Sequence, residues 1–333
     1  MPEILESRMN VLISSASRKV WLVREFQAAV SATGGKVVAC DAERHAAALY
    51  AADMGIVSPS LGTPDFLAFL LDTCTAWQIG LIVPTRDAEL PWFAEHRKVL
   101  ADAGVTVMVS TPEAIRTCQD KLAFIAFCRK HGFPVPHTYR PEEREEIEYP
   151  VFVKPRFGSA ARGAQIVENR EALAATSVRE GELIIQSLLR LPEYTLDTFS
   201  DFSGRVISVV PRERLKVCAG ESIVGRTVDA PQLVNAGKDL AESLGLIGHA
   251  TIQCFWDGSE VTFIEVNPRF GGGAALGFKA GISTPRVLVS LMAGERVEPC
   301  LGEYRKELFM FRHSQDIYVS ADELDKLKIW SRA

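Results

Sequence analysis

At residues 263–273 the chain reads Phe263-Ile264-Glu265-Val266-Asn267-Pro268-Arg269-Phe270-Gly271-Gly272-Gly273. The β-branched and aromatic residues of 260–264 predict a strand, which Pro268 and the glycines end. Because side chains alternate between the two faces of a strand, Glu265 and Asn267 point the same way, and Arg269 reaches the same space. Carboxylate and amide oxygens beside an arginine suit a hard cation with phosphates. A surface glutamate followed by a turn asparagine is the alternative, and these residues alone do not decide between the two.

The residues before this strand predict a second strand, joined to it by a hairpin. With a three-residue loop at 256–258, Gln253 pairs with Val261 and faces the same side as Glu265. A two-residue turn at 257–258 would send Gln253 to the opposite face. We favour the longer loop, which adds a third oxygen-bearing side chain to the same spot.

Length and composition indicate a globular protein of two or three lobes. The chain has 333 residues, of which 47% are hydrophobic and 24% charged, and one core rarely serves so many residues. The net charge of -5 leaves no basic stripe, which argues against nucleic acid as a partner. No apolar run approaches the ~20 residues that span a bilayer, and residues 1–8 do not form a signal peptide.

The seven cysteines are scattered and form no Cys-x-x-Cys pair. An odd number without metal-site spacing favours free thiols over disulfides or a metal cluster. Free thiols are typical of a reducing compartment, so the sequence predicts a cytoplasmic protein without a membrane partner.

The first third alternates short strands with amphipathic helices, which predicts a Rossmann-like α/β domain with a parallel sheet. Its predicted strands are 10–14, 37–41, 80–84 and 105–109, and its predicted helices are 20–30, 43–53, 64–77 and 89–103. The first strand-to-helix turn, residues 14–19, lacks the glycines of a dinucleotide-binding turn, which argues against NAD.

A second turn of this domain, residues 84–89, combines Arg86 with Asp87 and Glu89. Such loops follow the carboxyl ends of the strands, where α/β sheets bind ligands. The mixed charges suit a zwitterionic substrate. A helix start capped by Asp87 or Thr85 explains the same residues equally well.

A boundary between two lobes is predicted around residues 116–137. The predicted strand at 150–155 carries Lys154 within an apolar run. A buried strand rarely holds an unpaired lysine, so Lys154 requires an anionic partner. The loop 158–163 consists of small residues between two glycines, and its backbone N–H groups can wrap phosphate oxygens. It is not a Walker A motif, because Ala164 and Gln165 follow it. An ordinary hairpin turn is the alternative.

Antiparallel strands are predicted for the second half, which is therefore α+β. After a strand at 183–187, residues 188–192 form an apolar crossover that offers a slot for a flat ring. Arg212, Arg214 and Lys216 then recur with period 2, which places three cations on one strand face. A solvated face is the usual interpretation of such a run, and an anion site is at least as compatible with it.

The order of these parts resembles the ATP-grasp superfamily, and most closely a single ATP-grasp module of the carbamoyl phosphate synthetase large subunit. The resemblance rests on the following residues in sequence: Asp120-Lys121, Val153-Lys154-Pro155, the loop 158–163, Gln186, Glu193 to Asp197, the basic strand 212–216, Gln253, and Glu265-Val266-Asn267-Pro268-Arg269. It covers residues 10–295 without an internal repeat, so a full two-module synthetase is not expected.

The resemblance implies a binding site for ATP with Mg²⁺ or Mn²⁺. The implied phosphate contacts are Lys121, Lys154 and a flap of Gly158, Ser159, Ala160, Arg162 and Gly163. The implied adenine contacts are Gln186, Ser187, Leu188 and Leu189, with Glu193 on the ribose. The implied metal ligands are Gln253, Glu265 and Asn267. Arg269, with Arg212 or Arg214, is implied in stabilising the transferring phosphoryl group or holding a carboxylate. The family often has glutamate at Ser187 and glycine at Pro192, so this chain departs from its pattern at the adenine and ribose contacts.

The implied organisation is an N-terminal domain at 9–115, a small lobe at 116–187, a large lobe at 188–312 and a tail at 313–333. The implied activity is ligation of a small-molecule carboxylate to an amine through an acyl phosphate. A small-molecule kinase and a non-catalytic ATP-binding protein are the alternatives, and the complete cation and ligand set argues against the second.

Three further points concern the edges of this site. His249 lies near the strand that carries the implied metal ligands and is capable of moving a proton, but a structural role for this histidine is favoured. Residues 309–313 are expected to close the pocket. The sequence does not determine the oligomeric state, and a homodimer remains one option.

Overall fold

A computed structural model describes residues 8–158, 162–176, 182–325 and 327–331 of the chain. Within these ranges the strands form one parallel sheet and two antiparallel sheets. The predicted order, an α/β domain followed by α+β lobes, is confirmed. No helix in the described ranges is both long and apolar enough to cross a membrane.

The N-terminal sheet is parallel and lies between helices. Its strands are β1 (Asn10–Ser14), β2 (Val37–Asp41), β3 (Met54–Val57), β4 (Ile79–Pro84) and β5 (Thr106–Val107). The helices of this region are α1 (Val20–Val30), α2 (Ala47–Ala51), α3 (Phe66–Trp77), α4 (Leu90–Asp102), α5 (Pro112–Gln119) and α6 (Lys121–Lys130). β1 is central, with β2 and β4 as its neighbours.

The central strand is buried on both faces, which explains its continuous apolar sequence. Val11 and Ile13 pack in one core cluster with Phe26 of α1, whereas Leu12 packs in another with Phe69 and Phe93. Helices therefore cover both sides of the sheet. Loops follow the carboxyl ends of the strands, and ligands of α/β sheets bind at this end of the sheet.

Several element bounds differ from the predicted ones. α2 is shorter than predicted because the Asp41 side chain accepts hydrogen bonds from the backbone N–H groups of Ser17 and Glu43, 2.9 Å each, and holds the chain in a turn before the helix. β5 is likewise shorter than 105–109. By contrast, β1, β2 and α1 have the predicted bounds.

The four-stranded sheet belongs to the middle of the chain. It consists of β6 (Thr138–Tyr139), β7 (Val151–Pro155), β8 (Gln165–Val167) and β9 (Leu183–Ser187), with α7 (Arg170–Ala174) beside them. Its spatial order is β6-β9-β7-β8, and each neighbouring pair is antiparallel. β7, which carries Lys154, is thus an interior strand of this sheet.

The second antiparallel sheet has six strands. They are β10 (Glu193–Ser200), β11 (Val206–Cys218), β12 (Glu221–Thr227), β13 (Gly248–Trp256), β14 (Val261–Asn267) and β15 (Phe309–Phe311). The spatial order is β14-β13-β10-β11-β12-β15. The helices of this region are α8 (Pro231–Leu244), α9 (Ala275–Lys279) and α10 (Thr284–Met292).

The end of the chain returns to the N-terminal sheet. After α11 (Ala321–Asp325), β16 (Lys328–Ile329) pairs in parallel with β3. Sequence analysis predicted only a tail there and missed this strand. The domain boundaries at 115, 187 and 312 stay predictions.

Aromatic packing joins the N-terminal domain to the segment that follows β14. The rings of Phe26 on α1 and Phe270 meet edge to face, with centroids 5.9 Å apart. Trp21 and Phe278 form a second ring contact at 5.9 Å. These contacts set the position of the glycine-rich turn, residues 271–273, relative to the parallel sheet. All seven cysteines are free thiols, as predicted.

Candidate functional site

Three oxygen-bearing side chains meet on adjacent strands β13 and β14. Gln253 Nε2 donates a hydrogen bond to Glu265 Oε1 at 2.9 Å, and Asn267 Nδ2 donates to the same oxygen at 3.1 Å. Glu265 and Asn267 share a face because they are two residues apart on one strand. We call Gln253, Glu265 and Asn267 the oxygen cluster.

The register that brings Gln253 to Glu265 differs from the predicted one. The predicted pairing of Gln253 with Val261 is wrong, because Gln253 lies opposite Glu265. The loop has four residues, 257–260, since the Asp257 side chain accepts hydrogen bonds from the backbone N–H groups of Ser259 and Glu260. An irregularity between Gln253 and Cys254 shifts the register by one residue and restores the shared face.

The donor set of the oxygen cluster fits a hard cation. One carboxylate and two amide oxygens are the ligand types that Mg²⁺ takes, and Mg²⁺ completes its shell with waters and substrate phosphates. Among the described residues, no group of three or more His, Cys, Asp and Glu side chains is placed to hold a metal ion. Arg269 Nη2 donates to Asn267 Oδ1 at 3.2 Å, which orients that amide.

Two buried lysines face the oxygen cluster. Lys154 on β7 and Lys121 at the start of α6 are only 6% and 8% exposed. Burial lowers the pKa of Lys154 to about 8; the negative charges of Glu265 and Glu193 oppose this shift, and the charge of Lys121 adds to it. Burial also lowers the pKa of Lys121, again against the charge of Glu265. In the described chain neither lysine forms an ion pair, so both are available to an anion.

The base of the predicted flap is tied to α6. Lys121 Nζ donates to the carbonyl oxygen of Gly158 at 2.8 Å. Asp120, whose side chain caps α6, also accepts two hydrogen bonds from the Arg156 guanidinium. Of the other flap residues, Ser159 and Ala160 lie outside the described residues, and Arg162 and Gly163 are exposed.

The residues predicted to contact adenine lie at and beyond the end of β9. Gln186 is buried, and its Nε2 donates to Thr138 Oγ1 at 2.9 Å, so this side chain is already bonded within the sheet. The backbone N–H of Ser187 donates to the carbonyl of His137. Leu188 and Leu189 are half-buried and follow the strand.

Two of the three cations of the basic run on β11 pair with neighbouring acids. Arg212 is buried and forms two hydrogen bonds to Asp197, of 2.6 and 2.9 Å, while its Nη1 has no partner among the described residues. Arg214 lies 3.0 Å from Glu193, the residue predicted to bind ribose. A register shift between Arg214 and Lys216 breaks the alternation, so the predicted row of three cations on one face is wrong.

The loop 84–89 is organised by Glu89 rather than by the predicted caps. Glu89 is buried, and its Oε1 accepts hydrogen bonds from the backbone N–H groups of Thr85 and Arg86. The predicted capping by Asp87 or Thr85 is therefore wrong. Asp87 instead forms an ion pair of 2.8 Å with Arg269, which links this loop to the end of β14.

His249 has the environment of a structural residue. It is fully buried, stacks on Phe270 with centroids 4.4 Å apart, and its Nδ1 lies 3.2 Å from Thr284 Oγ1. Burial lowers its pKa to about 4, against the charge of Asp197. The ring is therefore neutral at physiological pH.

The C-terminal segment contacts the glycine-rich turn through Arg312. Its guanidinium donates to the carbonyl oxygen of Gly272 and pairs with Glu221. The side chains of Phe309 and Phe311 are exposed and stack on one another instead. Residues 309–313 therefore border the turn by a charged contact, which the sequence reasoning did not specify.

Two acids that organise the site were missed as partners. Asp197 pairs with Arg212, and Asp120 pairs with Arg156. The strand pairing of β10 with β11 brings Asp197 near Arg212. The spacing of these residues in the sequence does not predict this ion pair. Asp120 carried a signal, because aspartate before a helix is a common cap.

Two family models match successive parts of the chain. Residues 118–273 match the family model of the ATP-grasp domain. Residues 118–273 thus form an ATP-grasp domain. Residues 11–108 match the PylC-like N-terminal domain, so the two models together reach from β1 to β14, and β15 and β16 lie outside them.

Among curated proteins, this chain resembles the large chain of carbamoyl phosphate synthase from Thermoplasma volcanium. The two are 29% identical over 230 residues, which is 62% of this chain and 22% of the relative. This chain thus spans about a fifth of that relative's length.

Solved structures share the fold of this chain. A biotin carboxylase β,γ-ATP complex from Campylobacter jejuni has a TM-score of 0.71 at 17% identity, covering 91% of this chain and 75% of that one. The biotin carboxylase domain dimer of Hydrogenobacter thermophilus 2-oxoglutarate carboxylase, in complex with MgADP, ADP and bicarbonate, has a TM-score of 0.68 at 20% identity. In that case the match covers 90% of this chain and 73% of the other.

Proposed function

We propose that this chain is an ATP-dependent ligase that joins a carboxylate to an amine and releases ADP and phosphate. The observation that carries the proposal is the pair of buried lysines, Lys121 and Lys154, without ion-pair partners in the described chain, facing the oxygen cluster. Cations and oxygen ligands facing each other are the parts that bind a nucleotide polyphosphate with its metal.

In this proposal the chain's own residues bind and orient the nucleotide. Lys121 and Lys154 contact the phosphates, and the flap residues Gly158, Ser159, Ala160, Arg162 and Gly163 cover them. Gln186, Ser187, Leu188, Leu189 and Glu193 bind the nucleoside. Gln253, Glu265 and Asn267 hold Mg²⁺ or Mn²⁺, which when bound neutralises charge on the phosphate oxygens.

The first chemical step needs no nucleophile from the protein. A carboxylate oxygen of the acceptor attacks the γ-phosphorus, and the bond to the β,γ-bridging oxygen breaks with its electron pair leaving on ADP. We assign the acceptor carboxylate to Arg269, whose guanidinium is oriented by hydrogen bonds to Asp87 and Asn267. Such transfer depends on positioning and charge stabilisation.

In the second step the amine nitrogen attacks the acyl carbon, phosphate leaves with the electron pair of the C–O bond, and the nitrogen loses a proton. Water must be kept from the acyl phosphate until then, a role we assign to the flap. We assign Arg212 and Arg214 a supporting role in the stabilisation of the transferring phosphoryl group; Arg212 pairs with Asp197, and Arg214 pairs with Glu193.

The comparisons support this choice over other ATP-grasp chemistries. The curated relative is named for carbamoyl phosphate synthesis, and one structural neighbour is described with MgADP and bicarbonate, a small carboxylate-like anion. That neighbour is a dimer, which supports a homodimer here. The free thiols support a cytoplasmic location, and the acidic net charge opposes a nucleic-acid partner.

The test is turnover with pooled substrates. The protein is incubated with MgATP, small carboxylic acids and amino acids, and the products are identified by mass spectrometry. ADP with a product equal in mass to an acid plus an amine minus water is the expected result. A stable phosphorylated acceptor would make the chain a kinase, and MgATP binding without turnover of any acceptor would make it a binding protein.

A further inference from the structure

The carboxyl ends of β1 and β4 are locked together by one buried carboxylate. Glu89 Oε2 accepts hydrogen bonds from the hydroxyls of Ser14 and Ser15, at 2.8 and 2.7 Å. Its Oε1 accepts from the backbone N–H groups of Thr85 and Arg86, at 2.6 and 3.0 Å. Four donors saturate Glu89, so the two loops, residues 14–19 and 84–89, present a preorganised surface.

Two cations project from these loops without ion-pair partners in the described chain. Lys19, at the end of the first loop, is half-buried, and Arg86, on the second loop, is exposed. The acids around them are engaged elsewhere. Asp41 is bonded to the backbone N–H groups of Ser17 and Glu43, and Asp87 is paired with Arg269.

The pKa of Lys19 is sensitive to Arg269, which follows β14, and to Arg86. Burial lowers its pKa first, and the positive charge of Arg269 lowers it next; Glu89 and Asp41 oppose the shift, and Arg86 adds to it. Arg269 therefore acts on Lys19 more strongly than either acid does. Like charges held together in a partly buried cleft cost free energy that a bound anion offsets.

Arg269 connects the oxygen cluster to the loop 84–89. Its Nη2 donates to Asn267 Oδ1 at 3.2 Å and to Asp87 Oδ2 at 2.8 Å. The guanidinium thus extends from the oxygen cluster to the loop of Arg86. An acceptor whose reacting carboxylate lies at Arg269 directs its other end toward Lys19 and Arg86.

We propose that Lys19 and Arg86 form a second anion subsite, and that the acceptor is a carboxylate carrying a further anionic group. The inference rests on the proposed function and names its substrate class. A second carboxylate and a phosphate monoester share the chemistry that these cations recognise. Lys19 and Arg86 then select between acceptors, while Arg269 and the oxygen cluster serve the transfer itself.

The experiment compares ADP release with matched acceptors in the presence of MgATP and an amine pool. The pairs are propionate with succinate, alanine with aspartate, and glycerate with 3-phosphoglycerate. We expect the dianionic member of a pair to be preferred, and the pair that responds separates a dicarboxylate from a phosphorylated acceptor. Lys19→Met and Arg86→Met should each raise the KM of that acceptor about tenfold or more, the usual scale for a lost charged hydrogen bond.

Arg18→Met is the matched control, because Arg18 is the exposed neighbour of Lys19. It should leave the preference unchanged. Equal use of monoanionic and dianionic acceptors, or a Lys19→Met variant with unchanged KM for the dianion, would overturn the subsite.

Calorimetry separates this inference from the proposed function. If MgATP does not bind, the proposed function fails and the subsite with it. If MgATP binds but no acceptor in the panel is turned over, succinate and 3-phosphoglycerate are titrated into the MgADP-loaded chain. Binding of a dianion that Lys19→Met weakens supports the subsite, and failure of both to bind refutes it.

Discussion

Glu265 interacts with both the amide side chains and the buried lysines of the candidate site. It accepts hydrogen bonds from Gln253 and Asn267, and its negative charge acts on both Lys121 and Lys154. The charge of Glu265 therefore favours the ionised forms of both lysines and opposes the effect of their burial. Removing Glu265 would take away both a proposed metal ligand and the negative charge that acts on the two lysines.

The Glu265→Ala variant should slow ADP release on the order of 10³-fold, because charge stabilisation at the transferring phosphoryl group is lost. The measurement is the steady-state rate of ADP formation with saturating MgATP and acceptor. Glu260→Ala is the control, since Glu260 lies in the hairpin loop next to the same strand and is exposed. Near-normal ADP release by Glu265→Ala would show that the metal ligands lie elsewhere.

His249 should make folding sensitive to acid. Its folded pKa is about 4, below the ordinary value of 6.5, so the unfolded chain binds this proton more readily. The stability is fully present above pH 6.5 and falls as the pH is lowered toward 4, by roughly 3 kcal/mol for this group. Urea unfolding at several pH values should show a shallower decline in His249→Gln than in the wild type.

A His249→Gln variant whose free energy of unfolding declines as steeply as that of the wild type would mean that the buried ring does not titrate in this range.

At the residue scale the sequence predicted the grouping of the oxygen cluster but not the acids that pair with the arginines. The shared face of Glu265 and Asn267 follows from strand alternation alone. The pairing of Arg212 with Asp197 depends on the register of two strands and on burial of both groups. Such partners are set by tertiary structure, which residue spacing does not encode.

At the scale of elements, the hairpin of β13 and β14 shows where local rules end. Its four-residue loop has the parity that sends Gln253 away from Glu265, and the register shift at Gln253 reverses this. Asp257 explains the loop through its bonds to the backbone N–H groups of Ser259 and Glu260. The irregularity has no sequence signal of its own, so the predicted face was right and the predicted partner wrong.

An added methyl group should be costly in the glycine-rich turn but not in the helix that follows it. A Cβ at Gly273 would lie 2.4 Å from Arg212 Nη1, and Arg212 cannot retreat because Asp197 holds it. We expect Gly273→Ala to lower the free energy of unfolding by about 1–3 kcal/mol. Gly277→Ala, in the following helix, should change it little, because the nearest atom is 3.6 Å away. Urea denaturation of both variants tests this, and equal stability of the two would contradict the close packing at Arg212.

At the scale of the whole molecule, alternation of strands and helices was enough to predict the parallel sheet and the antiparallel half. β16 was missed because two residues carry no periodicity. Its place beside β3 is supported by Trp330, which packs edge to face on Phe69 at 5.9 Å and donates to Asp72 at 3.2 Å. Contacts between residues so far apart in sequence are invisible to local patterns.

The most direct test of the account is titration of ATP into the protein by calorimetry, with and without Mg²⁺. We predict binding that Mg²⁺ strengthens and that Lys154→Met weakens about tenfold to a hundredfold, the loss expected for a buried charged contact. Lys130→Met, on the exposed end of α6, should bind as the wild type does. Binding that is indifferent both to Mg²⁺ and to Lys154→Met would contradict a nucleotide site between the buried lysines and the oxygen cluster.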